Sequence, residues 1–172
     1  LFSVAAVFSC IVMYDAAHVR LQAGKQAARI NQIIEILGDP TLNPEERLKE
    51  ILSLKKYPRR IECYDISHIS GVDKVGSMVV FIDGEPAKEE YRRFKIKTVE
   101  GNNDFLSLNE VLTRRLSKLG SDEEERFPKP DLIVIDGGKG QLTAVKDAFL
   151  NYANDIDYVS LAEENEEIYL PN

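Results

Sequence analysis

Residues Pro130–Leu142 read PDLIVIDGGKGQL, and the fold turns on how this stretch is taken. Asp131 to Asp136 is nearly all apolar, the mark of a central strand covered on both faces. Gly137-Gly138-Lys139-Gly140-Gln141 breaks it, and a helix follows with Leu142, Val145, Phe149 and Tyr152 on one face. A strand of this kind needs parallel neighbours and a helical crossover to reach them.

The segments before it supply both. RIECYDI from Arg60 and VGSMVVFI to Ile82 read as two strands, and Asp83-Gly84 is a hairpin signal into a third that ends in YRRFKIK. In the third strand Phe94 and Ile96 point one way and Arg93, Lys95 and Lys97 the other, a core face and a basic face. Phe105, Leu108, Leu112, Leu116 and Leu119 then form a helical stripe capped by Asp104 and stopped at Gly120, with Glu110 and Arg114 a favourable pair four residues apart. DYVSL from Asp157 is a last strand, and EIYLP another short extended piece. A right-handed crossover makes the fourth strand a neighbour of the first. The expected fold is α/β: a ribonuclease H-like mixed five-stranded sheet with helices on its faces, preceded by a short helical segment.

That segment comprises a helix over Ala27–Leu37 and a second from Asn43, with Pro44 at its first position and two glutamates in its first turn. The expected division is residues 1–24, an unassigned apolar segment; 25–58, a helical lead-in; and 59–172, the sheet domain. LFSVAAVFSCIVMY stops at Asp15, short of the ~20 residues of a membrane-spanning helix. No initiator Met or basic stretch marks it as a signal peptide, so the chain is expected to begin inside a longer protein. Cys10 and Cys63 have neither metal-ligand spacing nor disulfide density, which points to a reduced, cytoplasmic protein with Cys63 a small core residue.

The 172 residues carry a formal net charge of -7, which argues against nucleic-acid binding by bulk electrostatics. Any polyanion site must be local. Basic residues cluster at Lys55–Arg60, at Arg92, Arg93 and Lys95, and at Arg114 and Arg115; each cluster also reads as solvated charge, and the last as internal pairs with Glu110 or aspartates.

Asp65 falls on the first strand and Asp136 at the carboxyl end of the adjacent fourth. Neighbouring strands are ~4.8 Å apart, and paired catalytic cations sit about 3.5–4 Å apart, so two such carboxylates can share Mg²⁺ or Mn²⁺ for phosphodiester hydrolysis. The same residues also read as a strand-end aspartate and a turn-capping carboxylate. GGKGQ lacks the spacing and hydroxyl of a nucleotide-binding P-loop; its glycines let backbone approach a phosphate or metal, with Lys139 as a cation. A Ser-His-Asp triad from Asp65, Ser67 and His68 fails because adjacent strand residues face opposite ways.

RIECYDISHISG, SMVVFIDGEPAKEEYRRFKIK, EVLTRR and PDLIVIDGGKGQL together resemble the ribonuclease H-like endonuclease domain of UvrC, over about Arg59 to Pro171. The resemblance implies a metal-dependent endonuclease, with Mg²⁺ or Mn²⁺, that cuts damaged duplex DNA on the 5′ side of a lesion in nucleotide excision repair after UvrB has engaged the strand. It implies Asp65 and Asp136 as catalytic metal-site residues, and His68, Lys139 and Gln141 as supports or phosphate contacts. Arg92, Arg93, Lys95, Arg114 and Arg115 are the expected DNA contacts. Two departures stand out: Glu163 occupies a usually basic position, and the family's catalytic histidine on a later helix is expected beyond Asn172. The family's other nuclease, its UvrB-binding segment and its helix-hairpin-helix module have no counterpart in these residues. The competing expectation is a catalytically inactive DNA- or protein-binding module of the same fold.

Overall fold

The computed structural model describes residues 41–69, 73–99, 101, 103–162 and 167–171, with the side chains of residues 68, 69 and 73 outside the description. The apolar segment 1–24, the helix expected over Ala27–Leu37, Cys10 and Glu163 therefore lie outside the described residues.

Helix α1 (Pro44–Leu52) forms where the sequence puts its start signals. The Asn43 side chain accepts from the Glu46 N–H at 2.8 Å and Glu46 reaches back to the Asn43 N–H at 3.1 Å, a reciprocal cap. Strands β1 (Arg60–Ile69) and β2 (Asp73–Ile82) pair antiparallel over their full length. Asp83 and Gly84 both take left-handed backbone (φ 49° and 76°), as a tight hairpin turn requires.

Beyond the turn the expected third strand is two. Strand β3 (Glu85–Pro86) pairs with Phe81 and Ile82, and β4 (Arg92–Lys95) with Val75 to Met78, farther along β2. Pro86 has no N–H to extend the ladder, and a 3₁₀ turn at Lys88–Glu90 carries the chain onward.

Helix α2 (Asp104–Leu116) crosses over to β5 (Leu132–Asp136), which lies parallel to β1. Helices α3 (Lys139–Ala144) and α4 (Lys146–Tyr152) lead to β6 (Asp157–Ala162), parallel to β5, and β7 (Glu167–Tyr169) returns antiparallel. The order is β3-β2-β1-β5-β6-β7 with β4 also on β2, a seven-stranded sheet. It exceeds the expected five by the split of the third strand and by EIY pairing as β7.

Alternation sorts the strands into two cores. Tyr64, Met78, Val80, Ile133 and Ile135 meet Leu108, Val111, Leu112 and Leu116 of α2 and Phe149 of α4. On the other face Cys63, Val79, Phe81, Leu132, Val134, Val159 and Leu161 meet Leu48, Leu52 and Leu54 at α1. Each such large side chain contributes about 1.5–3 kcal/mol when fully buried. Cys63 is a core residue, and burial pushes its thiol up to about 12.

Three helix details depart from expectation. The cap of α2 is Asn103, whose side chain accepts from the Leu106 N–H, while Asp104 sits in the first turn. Phe105 is exposed and lies off the buried stripe. The helix after β5 breaks at Val145, where the Asn109 amide of α2 donates to the Ala144 carbonyl at 2.5 Å; a side chain inserted into the ladder is a recognised cause of such breaks, and Tyr152 ends up exposed.

Candidate active site

The register between β1 and β5 runs Ile61 opposite Leu132 through Tyr64 opposite Ile135, and the next residues along the two strands are Asp65 and Asp136. They stand side by side on parallel strands at the end where β5 stops. By alternation both point to the face of Cys63 and Val134. Asp65 is buried and Asp136 half-buried.

Two hydroxyls share that surrounding. Ser77 lies directly opposite Asp65 across β2, and Ser67 follows two residues on along β1, on the same face. Their Oγ atoms are buried and, among the described residues, accept or donate no hydrogen bond. Buried polar atoms of this kind call for a ligand or water. Carboxylates, hydroxyls and water are hard oxygen donors, and Mg²⁺ is held by one or two carboxylates with retained waters. The donor set therefore fits Mg²⁺ or Mn²⁺. Among the described residues no third His, Cys, Asp or Glu joins the cluster. Neither serine stands out in the sequence as a ligand-site residue; Ser67 is within reach through its two-residue spacing from Asp65, whereas Ser77 needs the strand register.

The loop after Asp136 is pinned from three sides. The Gly137 N–H donates to the Leu161 carbonyl at 3.0 Å, Ser160 Oγ donates to the Gly138 carbonyl at 3.2 Å, and the Gly138 N–H donates to Gln141 Oε1 at 3.1 Å. Gly137 has φ 133°, and a Cβ there would meet Gln141 Cδ at 2.5 Å, so the loop closes only with glycine. Gln141 supports the loop. Lys139 is exposed in the first turn of α3, and His68 lies on β1 opposite Lys74, its side chain outside the described residues.

The basic residues separate into distinct groups. Arg93 and Lys95 are exposed on the outer side of β4, beside buried Phe94. Arg92 is half-buried, donating to the carbonyls of Glu89 and Tyr91. Arg114 donates to the Lys95 carbonyl and pairs with Glu110 at 3.2 Å, its side chain still 36% exposed. Arg115 corrects the expectation: it is 0% exposed, held by Glu62 at 2.7 Å and the Pro128 carbonyl at 2.7 Å, and has no surface to offer DNA. Arg115 follows Val111 by four residues and Leu112 by three, so it falls on the stripe that α2 buries.

Glu110 also ties down the chain after β4. Burial pushes its carboxyl up, but hydrogen bonds from Thr98 Oγ1, the Thr98 and Lys97 N–H groups and Arg114 together hold it below the usual glutamate range. A depressed folded pKa stabilises above the unfolded value and is lost as pH falls through the folded one. The clasp should therefore persist above about pH 4.3, the ordinary glutamate value, and loosen below it. Protection of the Lys97 and Thr98 amides, measured against the intrinsic exchange rate at each pH, should fall on acidification in the native chain and be low at all pH values in Glu110→Gln; acid-insensitive protection at those amides would refute the clasp.

Residues 49–172 match the family described as the UvrC RNAse H endonuclease domain. The chain belongs to that family. UvrABC system protein C of Methanococcus maripaludis is 52% identical over 126 residues, 73% of this chain and 23% of that protein. The protein of the same name from Acaryochloris marina is 50% identical over 143 residues, 77% and 23% respectively. The chain thus spans about a quarter of the length of these UvrC relatives. Human endonuclease V aligns with a TM-score of 0.42 at 18% identity, covering 62% of this chain and 46% of that one. Residues 1–57 match a second family, described as Divergent PAP2, a span that covers residues 1–24 and most of the expected 25–58 lead-in and overlaps the UvrC match at 49–57. Among the described residues no helix is long and apolar enough to cross a membrane.

Proposed function

We propose that this chain is a metal-dependent DNA endonuclease domain, making the 5′ incision beside lesions in nucleotide excision repair, in the cytoplasm and with UvrB delivering the damaged duplex to the full-length protein. One observation carries the reading: the β1–β5 register that brings Asp65 next to Asp136 at the end of adjacent parallel strands. Asp65 and Asp136 would hold Mg²⁺ or Mn²⁺, which when bound supplies a nucleophile at neutral pH and stabilises charge on the leaving oxygen. Ser67 and Ser77 would order water around the carboxylates. Gln141, Ser160 and the Leu161 carbonyl fix the loop that follows Asp136, which would help hold the carboxylate in place for reaction. Lys139, exposed in the first turn of α3, would meet a phosphate, and His68 would support the site or contact a phosphate.

The test is incision of a lesion-bearing duplex by the full-length protein with UvrB, with and without chelator. Cutting on the 5′ side that stops on chelation and returns with Mg²⁺ or Mn²⁺ supports the reading; 5′ cutting that survives chelation would overturn it. The isolated chain should cut only near background, because the family's further catalytic histidine is expected outside Leu1 to Asn172.

Arg93 and Lys95, exposed on the outer side of β4, are the proposed phosphate contacts, with the less exposed Arg92 and Arg114 as lesser ones. Binding should weaken as salt rises, and Arg93→Glu with Lys95→Glu should lower the slope of log affinity against log salt by about 1.8, at roughly 0.9 per phosphate lost. An unchanged slope in the full-length protein would make this face a solvated one.

A further inference from the structure

The first turn of α2 exposes two large apolar side chains in succession, Phe105 at 46% and Leu106 at 56%. The residues that pack α2 on the sheet are Leu108, Val111, Leu112 and Leu116, so this pair takes no part in that core. Phe105 nevertheless has a fixed place. Its ring lies across Gly140, where a Cβ would come within 2.7 Å of Cε1, which seats it on the first turn of α3 beside Lys139.

The turn itself is anchored at the same end of the sheet. Asn103 caps it through the Leu106 N–H at 3.0 Å, and Asp104 pairs at 3.4 Å with Lys74, the residue opposite His68 in the β1–β2 register. Both side chains therefore stand exposed at the rim where β5 ends, on the α2 face of the sheet and so across that rim from Asp65 and Asp136, with the exposed Lys139 alongside in the first turn of α3. An apolar step beside a cation, on the rim next to a proposed site of phosphodiester chemistry, matches one chemical unit. A nucleotide carries a flat apolar base and a phosphate a few bonds apart, whereas a helix or strand of a partner protein would need a longer apolar track.

We propose that Phe105 and Leu106 form a platform on which an unpaired base of the DNA strand stacks, with Lys139 on the phosphate of that nucleotide. The proposal rests on the nuclease reading and adds to it a preference for locally opened strands. A fully paired duplex has no base to offer.

The chain contains no tryptophan, so Phe105→Trp gives it a single indole reporter. The 172-residue chain is titrated at low salt, without metal, with a single-stranded oligonucleotide and with one of equal length carrying abasic sites. Quenching of the indole emission by the first and not by the second is the expected result. Leu106→Ser, alone and with Phe105→Ala, should weaken single-strand binding, the pair by about tenfold or more, while leaving abasic binding unchanged. Leu106 is exposed, so Leu106→Ser should keep the native circular dichroism and remains informative if the Phe105 change disturbs the loop. Bound oligonucleotide with unaltered indole emission, or equal affinity for base-bearing and abasic strands, would assign the pair to a protein contact and overturn the platform. Absence of any binding by the wild-type chain would overturn it too. In either case the nuclease reading is judged separately, by the chelation assay on the full-length protein.

Discussion

Asp136→Asn in the full-length protein is expected to reduce 5′ incision by about a thousandfold or more, and Asp65→Asn by a similar factor. The amide keeps the size of the carboxylate but withdraws its charge from the cation. A bound metal contributes several kcal/mol of transition-state stabilisation, and each 1.36 kcal/mol is about tenfold in rate. The two changes disable one unit, so the double variant should cut about as poorly as either single one; such strong non-additivity is what residues acting on one centre display. Incision of a defined lesion duplex with UvrB, quantified for all three variants, makes the check. Either single variant retaining incision within about tenfold of wild type would remove these aspartates from the metal site.

Arg115→Ala is expected to destabilise the chain by about 3–5 kcal/mol. Glu62 is 0% exposed and receives Arg115 Nη2 at 2.7 Å and Nε at 3.1 Å, Arg60 Nε at 3.1 Å and the Tyr64 hydroxyl at 2.7 Å. Burial by itself would lower the pKa of Arg115, but the adjacent Glu62 carboxylate raises it above the ordinary value, so the guanidinium stays charged. Burial likewise pushes the Tyr64 phenol well above its usual range, which keeps it a neutral donor to Glu62. Removing Arg115 leaves much of a carboxylate charge uncompensated beneath α2. Glu62→Gln in the Arg115→Met background removes the charge as well and should recover part of the loss. Urea midpoints at constant slope would measure both. A loss under about 1 kcal/mol for Arg115→Ala is the range of an exposed pair and would contradict the buried network.

Much of this architecture was legible because period and covering agree. Leu132 to Ile135 could only be a strand buried on both faces, and β5 is one; once β1 was placed beside it, the neighbourhood of Asp65 and Asp136 followed from counting residues. The Asn43 cap was equally local. What could not be read depends on contacts between distant segments. The break at Val145 coincides with a hydrogen bond to the Ala144 carbonyl from an amide on α2, 35 residues away along the chain. The orphan hydroxyl of Ser77 becomes part of the site only through its register with Asp65. The two arginines of TRRLSK look alike in sequence, and one step of helical rotation sends Arg114 toward solvent and Arg115 into the core; the apolar spacing contained that answer, but the charge suggested another.

The split of the strand after Gly84 has a consequence for how the molecule behaves among copies of itself. A long straight margin on β2 would present a row of unpaired N–H and C=O groups able to template cross-β association. Instead that margin is shared between the two residues of β3, one of them proline, and the four of β4, flanked by outward-pointing Arg93 and Lys95. The opposite margin ends in β7, three residues long. Interrupted, charged and short, these margins discourage intermolecular strand addition, so a sheet this apolar at its centre can be carried in a longer polypeptide without seeding its aggregation.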